Sequence, residues 1–222
     1  MVLATGELKT EVIEDAAHYG YLNQIKRISD RVYVCGYNGQ VYRRDDSGWK
    51  HMDNGLLESP AAKSLLNIVS IDGTSDHDIY VVGIKGTVAH YDGTLWKRIE
   101  APTRLFLTWV RCLPSGEVYV CGFKGTLLKY SAGQWQVLSD PAFRDDFSCI
   151  EFFQGKVYLA SLTQVFVLEG DKLKPIDLSS TTPEPDAFRL DAKDDVLWSF
   201  GQRYVCFFDG KRWTHVTHPD NG

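Results

Sequence analysis

Short segments in which apolar and polar residues alternate recur along the chain. Residues 32–49 read VYVCGYNGQVYRRDDSGW, residues 79–96 read IYVVGIKGTVAHYDGTLW, and residues 118–135 read VYVCGFKGTLLKYSAGQW. Two more divergent copies begin at Val157 and Val196, so successive copies start 47, 39, 39 and 39 residues apart. Alternation with a period of two predicts strands. A strand-rich repeat of about 40 residues is typical of β-propeller blades.

Each copy predicts three strands, and an apolar segment upstream of it supplies a fourth. In the second copy, Gly83 and Gly86 bracket a tight turn between two strands, and we expect both to need positive φ. The upstream segments are residues 25–28, 68–71, 110–113, 150–153 and 187–190. We expect this segment to be the innermost strand of its blade and the tryptophan-bearing strand to be the outermost. The fold class predicted is therefore all-β, a propeller of about five four-stranded blades.

We interpret residues 1–222 as a single propeller domain. The predicted blades span approximately residues 21–53, 64–100, 107–139, 146–177 and 186–218. Residues 1–20 are predicted to hold an extra N-terminal strand, because residues 6–13 resemble the outermost strand of a copy. Two interpretations stay open: this strand pairs with the last blade, or the chain is an open or truncated member of a larger-propeller lineage.

One tryptophan recurs in most copies, at Trp49, Trp96, Trp135 and Trp213, and Leu173 replaces it in the fourth copy. Such a residue could stack on a ligand, but we interpret it as packing between neighbouring blades, where a large ring is readily buried. The fourth copy also lacks both turn glycines and has residues 161–164 (SLTQ) in their place.

Composition narrows the class of protein further. The 222 residues are 44% hydrophobic and 13% aromatic, and the net charge is −5. No apolar run reaches the roughly 18 to 20 residues that a membrane-spanning helix requires, so no membrane partner is expected. The five cysteines are an odd number and show no metal-ligand spacing. They are predicted to be buried free thiols, which favours a reducing, cytoplasmic location.

Candidate catalytic and metal-binding groups are few. Residues 76–78 (DHD) could hold a metal, but they lie in the polar stretch 72–78, which we interpret as a turn inserted in the second copy. A carbohydrate-active propeller needs two carboxylates at a defined separation. The predicted innermost strands supply only Glu151 clearly, with Asp186 at the edge of the fifth. We therefore predict no enzyme activity, no metal and no cofactor.

The inter-blade connections and middle hairpin tips should share one side of the propeller, the loop face. Its basic and aromatic residues could bind single-stranded nucleic acid, but acidic residues lie among them, so a mixed, solvated surface that binds no nucleic acid is predicted. The acidic set is Asp53, Glu58, Asp140, Asp145 and Asp146, which would suit a basic protein partner. The predicted partner-binding residues are Tyr37, Asn38, Leu56, Leu57, Glu58, Lys85, Arg104, Phe123, Lys124, Arg144, Asp145 and Asp146. Leu56 and Leu57 are either anchor points for a partner or a cap over a cleft between blades.

Three segments carry a family resemblance: residues 20–25 (GYLNQI), 32–44 and 49–53 (WKHMD). They resemble bacterial propeller proteins encoded beside polymorphic or contact-delivered toxins. More broadly, the blade pattern is similar to kelch, WD40-like and photosystem-assembly-factor propellers, although the Gly-Gly pair of kelch repeats is absent. The resemblance implies a cytoplasmic immunity protein that covers the active surface of a cognate toxin. The alternatives are a general interaction scaffold and, less favoured, a carbohydrate-active enzyme. The sequence leaves open whether the protein is a monomer or a dimer.

Overall fold

The computed structural model describes residues 10–58, 66–182 and 186–217. Twenty strands in this part of the chain form five four-stranded antiparallel sheets, arranged as the five blades of a β-propeller. Within each sheet the strands follow one another in chain order. The predicted all-β fold with four strands per blade is confirmed.

The strand bounds are as follows. Blade 1 comprises β1 (Leu22–Ile28), β2 (Arg31–Gly36), β3 (Val41–Asp45) and β4 (Gly48–His51). Blade 2 comprises β5 (Ile68–Ser75), β6 (Asp78–Gly83), β7 (Val88–Tyr91) and β8 (Trp96–Arg98). Blade 3 comprises β9 (Leu107–Cys112), β10 (Val118–Gly122), β11 (Leu127–Ser131) and β12 (Gln134–Val137). Blade 4 comprises β13 (Phe147–Phe153), β14 (Lys156–Ser161), β15 (Val165–Glu169) and β16 (Lys172–Pro175). Blade 5 comprises β17 (Arg189–Lys193), β18 (Val196–Phe200), β19 (Val205–Phe208) and β20 (Trp213–His215).

The first strand of each blade lies against the first strand of the next. Strand β1 contacts β5, β5 contacts β9, β9 contacts β13, and β13 contacts β17. The described residues form four hydrophobic clusters, and each lies between two consecutive blades. The upstream segment is therefore the innermost strand, as predicted, and most of the core is the packing of one blade on the next.

The recurrent tryptophan packs between blades. Trp96 belongs to the cluster between blades 1 and 2, and Trp135 and Trp213 pack against the clusters of later interfaces. Leu173 occupies the corresponding place between blades 3 and 4. In two of these residues the indole also donates a hydrogen bond across the interface: Trp96 Nε1 to the carbonyl oxygen of Met52 at 2.6 Å, and Trp135 Nε1 to that of Glu100 at 2.8 Å. The packing interpretation is confirmed.

Two glycines shape each middle hairpin for different reasons. Gly86 has φ +69, as predicted. The prediction of positive φ is wrong for Gly83, whose φ of −172° is ordinary extended backbone. Gly83 is required by crowding instead, because a Cβ there would lie 2.0 Å from the carbonyl oxygen of Asn67.

The interpretation of residues 72–78 as an inserted turn is only partly right, because the turn is confined to residues 76 and 77. Strand β5 continues through this stretch to Ser75, which places Asp72 on an innermost strand. The additional residues of the first repeat lie in the long connection between β4 and β5, part of which (59–65) is outside the described residues. Asp76 forms an ion pair with Arg31 at 2.9 Å.

The N-terminal segment differs from the predicted strand in the part that is described. Residues 10–13 carry no strand, and helix α1 spans Ala16–Tyr19; residues 1–9 lie outside the described residues. The segment is held along blade 1 rather than blade 5. Glu11 pairs with Arg44 at 2.7 Å, and Asn38 Nδ2 donates to the Tyr19 carbonyl oxygen at 2.7 Å. Polar contacts with blade 1 thus hold the segment without extending a sheet.

His51 is the central link between this segment and blade 1. Its Nδ1 lies 2.8 Å from Asp53, and its Nε2 contacts Asp15, immediately before helix α1. Burial favours the neutral ring, but hydrogen bonds to the carboxylates of Asp53 and Asp15 outweigh it, so the pKa of His51 is raised. The same contact lowers the pKa of Asp15.

Candidate partner-binding face

The loop face is formed by the middle hairpin tips (residues 37–40, 84–87, 123–126, 162–164 and 201–204) and the connections between blades. Three tips are bonded to the connection that follows them. The bonds join Gly39 N to Leu66 O, Gly86 N to Leu105 O and Gly125 N to Asp145 O, at 3.0, 2.8 and 2.8 Å. The backbone of the loop face is therefore tied together, and its outward side chains are presented from a fixed frame.

The residues between the turn glycines project from this frame. Asn38, Lys85 and Lys124 occupy equivalent positions with φ of 55°, 54° and 55°. Gly39, Gly86 and Gly125 follow them, and a Cβ on any of these glycines would lie within 2.3 Å of a carbonyl oxygen of the next connection. The glycines thus fix the turn, while the side chains of Tyr37, Lys85, Phe123 and Lys124 are exposed.

Exposed aromatic side chains are the most distinctive feature of the loop face. Tyr21 packs edge-on against Tyr37, with ring centroids 5.7 Å apart. Phe106 packs against Phe123 at 4.8 Å. Phe188 is also exposed on this face. Aromatic rings that are already held by a neighbour lose little freedom on binding, and such residues are enriched among the anchors of protein interfaces.

A cavity of about 380 Å³ opens at the centre of the loop face. The residues near the start of the innermost strands line it, among them Asn23, Val69, Thr108, Ser148 and Arg189. Their polar groups bind the next blade: Thr108 Oγ1 donates to Phe147 O at 2.5 Å, and Ser148 Oγ donates to Phe188 O at 2.8 Å. The Arg189 guanidinium lies over the Trp109 ring at 4.3 Å. The cavity wall is therefore stiffened by bonds between blades.

Deeper along the innermost strands runs a row of alternating charges that the sequence analysis did not anticipate. Lys26 Nζ lies 3.7 Å from Asp72, and Arg111 lies 3.5 Å from Asp72 and 2.7 Å from Glu151. Burial raises the pKa of Glu151, and the charge of Arg111 counteracts part of that effect. Both carboxyl groups are almost completely buried. They are engaged with cations of neighbouring blades instead of facing open space.

A signal for this row was present in the sequence. Each of its members pairs across the sheet with a tyrosine of the second strand: Tyr33, Tyr80, Tyr119 and Tyr158. Counting back from that tyrosine would have placed Asp72 on an innermost strand.

The structure separates the predicted partner-binding residues into exposed and structural ones. Lys85, Arg104, Lys124, Arg144, Asp145 and Asp146 are exposed, together with the aromatic residues Tyr37 and Phe123. Leu56 is 1% exposed and belongs to the cluster between blades 1 and 2, so of the two alternatives it is the cap. Leu57 and Glu58 are half-buried, and Glu58 pairs with Arg98 at 3.0 Å. Asn38 is half-buried too.

Much of the predicted acidic set serves the fold. Asp53 is buried and accepts a hydrogen bond from Val41 N at 3.2 Å. Asp140 accepts one from Ala142 N, and Asp146 accepts one from Lys124 N, both at 2.8 Å. The carboxylates at these positions therefore shape the connections, which leaves the exposed loop face mixed in charge.

All five cysteines are buried and unpaired with one another. Burial raises the pKa of their thiols, to about 11 for Cys149. They are packed as small apolar side chains. Over the described ranges, none of the helices has the length and hydropathy to cross a membrane.

Comparison with known proteins places the chain in a family. No family model matches it. The immune protein Tsi7 of Pseudomonas aeruginosa is 32% identical over 219 residues, which cover 96% of this chain and 71% of the relative. The solved structure of YCF48 bound to D1 peptide has a TM-score of 0.67 at 11% identity, covering 93% of this chain and 69% of that chain. The extracellular domain of the putative one-component system BT4673 from B. thetaiotaomicron has a TM-score of 0.61 at 17% identity. The match covers 88% of this chain and 33% of that chain. At these identities the two structures show the fold alone. The identity with Tsi7, which extends over nearly the whole chain, shows that this protein belongs to the family of the immune protein Tsi7.

Proposed function

We propose that this protein is a non-catalytic immunity protein that acts in the cytoplasm, binds a cognate bacterial toxin through its loop face and neutralises it by covering its active surface. The observation that carries the proposal is the kinship with an immune protein over nearly the whole chain. The exposed aromatic side chains of the loop face supply the surface through which such a protein would act.

The physical argument for the loop face is preorganisation. Binding costs free energy whenever side chains or loops must be ordered. Here the hairpin tips are bonded to the inter-blade connections, and Tyr37 and Phe123 each rest against a second ring. Lys124 follows Phe123 in the hairpin tip, and Arg144 and Asp145 lie on the connection bonded to that tip; all three are exposed and charged, as residues in the polar rim of an interface are. Covering the active surface of a toxin requires no catalytic group. The proposal therefore assigns no catalytic role to the ion-paired carboxylates of the innermost strands.

The first experiment is purification of the tagged protein from its source cells, with mass spectrometry of whatever accompanies it. A stoichiometric partner encoded by the adjacent reading frame, toxic when expressed alone and harmless when co-expressed, is the expected result. Recovery of no such partner, or of a toxic partner whose effect persists on co-expression, would overturn the proposal.

The second experiment locates the interface. Phe123→Glu and Tyr37→Glu place a charge among the aromatic anchors, and each is expected to weaken toxin binding at least tenfold, since an anchor residue contributes about 2 kcal/mol or more. Leu95→Glu is the matched control, because Leu95 is 40% exposed, against 37% for Phe123, and lies in an outer hairpin at the opposite end of its blade. Equal binding by all three variants would place the interface elsewhere.

A further inference from the structure

Every blade of this propeller has two apolar faces of different kind. The leading face is the one turned toward the next blade in the chain, and the trailing face is turned toward the preceding blade. Between blades 1 and 2, Tyr33 and Cys35 on a leading face pack in one cluster with Ile71 and Val81 on a trailing face. The other three interfaces are built in the same way. In the described part of the chain, each hydrophobic cluster thus joins one leading face to one trailing face.

The trailing face of blade 1 is exposed, although its residues are apolar and the equivalent residues of the other blades are buried. Ile25 is 66% exposed. The residues at the same register on the other innermost strands are apolar and buried: Ile71, Val110, Ile150 and Leu190. Leu22, at the start of β1, is exposed, whereas its counterparts Ile68, Leu107 and Phe147 are buried. A groove of about 550 Å³ lies between Ile25 and the segment 11–16 that runs along this blade.

The leading face of blade 5 is exposed in the same sense. Phe200 is 39% exposed, and its counterparts Cys35, Val82, Cys121 and Ala160 are buried. Next to it, Trp198 stacks with Phe200 and packs against Phe207, with centroids 6.2 and 5.5 Å apart. Val216 extends the same apolar surface. Phe200 and Ile25 are exposed together, so the two end faces do not bury one another within one chain.

We propose that the leading face of blade 5 binds the trailing face of blade 1 on a second copy of this chain. One of the two exposed end faces is a leading face and the other is a trailing face. Within this chain, each blade packs its leading face on the trailing face of the next blade. The groove beside Ile25 is apolar and receives the aromatic side chains around Phe200. Such a head-to-tail contact is heterologous, because each copy contributes a different surface. It leaves the loop face open, so it goes beyond the proposed function and does not depend on it.

Sedimentation velocity over a wide range of protein concentration tests the association. The wild-type protein is expected to form concentration-dependent dimers and higher species. Ile25→Glu and Phe200→Glu are each expected to weaken association at least tenfold, because each buries a carboxylate in an apolar interface. Val137→Glu is the control: Val137 is exposed on the outermost strand of blade 3, away from both end faces.

Mixing the two variants gives the decisive result. Ile25→Glu keeps an intact leading face and Phe200→Glu keeps an intact trailing face, so an equimolar mixture is expected to form dimers of wild-type affinity and nothing larger. That recovery also shows that both variants are folded. A wild-type protein that stays monomeric throughout, an effect of only one of the two variants, or a mixture that fails to associate would each overturn the proposal. Toxin neutralisation by the variants is scored separately and is expected to be unchanged.

Discussion

The indole nitrogen of Trp96 lies 2.6 Å from the carbonyl oxygen of Met52, across the boundary between the second blade and the first. The same side chain is buried in the hydrophobic cluster that joins these blades. One residue thus supplies both the apolar area and a hydrogen bond that holds the connection after blade 1. Trp49 occupies the equivalent place in blade 1, which packs on no preceding blade in the part of the chain that the structure describes, and is half-buried.

This contrast predicts unequal costs for two identical substitutions. Trp96→Ala is expected to lower the free energy of unfolding by about 3–5 kcal/mol, since it leaves a large cavity between blades. Trp49→Ala is expected to cost less than half as much. Urea denaturation of both variants measures the difference, and equal losses would contradict the inter-blade role of Trp96.

Arg111 is predicted to be essential to the charged row. Arg111→Met leaves Asp72 and Glu151 buried without their shared cation, and removing one partner of a buried pair costs about 3–5 kcal/mol. The double variant Arg111→Met, Glu151→Gln is expected to be more stable than the single variant, because Asp72 keeps its ion pair with Lys26 and the buried charge of Glu151, which has lost its cation, is gone. A double variant no more stable than the single one would show that Arg111 acts by packing alone.

The charged row also predicts a pH dependence. Because burial raises the pKa of Glu151 in the folded protein, its contribution to stability is present below the pKa of the unfolded chain and is lost as pH rises through the folded pKa. Without Arg111 this dependence grows. The stability deficit of Arg111→Met is therefore expected to shrink between pH 7 and pH values near the ordinary pKa of glutamate, measured by denaturation at each pH. A deficit independent of pH would contradict it.

His51 predicts pH-dependent attachment of the N-terminal segment. Its folded pKa is raised, so the stabilisation is fully present below the unfolded pKa of about 6.5 and is lost as pH rises through the folded value. Hydrogen exchange at the amides of His18 and Gly20, corrected for the intrinsic rate, is expected to accelerate across this range. His51→Gln is expected to abolish the pH dependence. His90→Gln, which replaces a histidine of blade 2 whose Nε2 lies 2.8 Å from Asp78, is the control and is expected to leave the pH dependence in place.

Gly83 and Gly116 are predicted to respond differently to the same substitution by alanine. Gly83→Ala is expected to cost about 2–3 kcal/mol through crowding alone, because its φ is ordinary but its Cβ would meet the carbonyl oxygen of Asn67. Gly116 has φ +84 and open space around it. Gly116→Ala is therefore expected to cost only the backbone strain, about 1 kcal/mol. Thermal or urea unfolding measures the free energy of unfolding of both variants. A larger loss of stability in Gly116→Ala than in Gly83→Ala would contradict the crowding argument.

The repeat predicted much of the architecture because strand periodicity and turn chemistry are local properties. The blade count, the strand order and the packing role of Trp96 followed from them. Residues whose environment depends on distant chain were harder to interpret. Leu56 lies in a connection, and only the position of blade 2 decides that it is a buried cap. Gly83 illustrates the same point, since the need for glycine comes from Asn67, which lies just before strand β5.

The candidate site was only partly predictable for the same reason. A charge pattern does not reveal which carboxylates a backbone will use, and Asp53 and Asp146 are taken up by amide groups of nearby turns. Asp72 was missed because a polar stretch after an apolar one resembles a turn, whereas here it continues the innermost strand. Exposure of Phe123 and Lys124 was predictable, because both lie between glycines that define a tip.

In the hairpin tips, the residues that hold the backbone differ from the residues that are exposed to solvent. Backbone amides and glycines hold the tips at Gly39, Gly86 and Gly125, while the residues just before them are exposed at Lys85 and Lys124. In the proposed function, substitutions at those exposed positions would change which partner is bound and would leave the blades intact. Relatives with the proposed function could therefore come to bind different toxins while the fold stays the same.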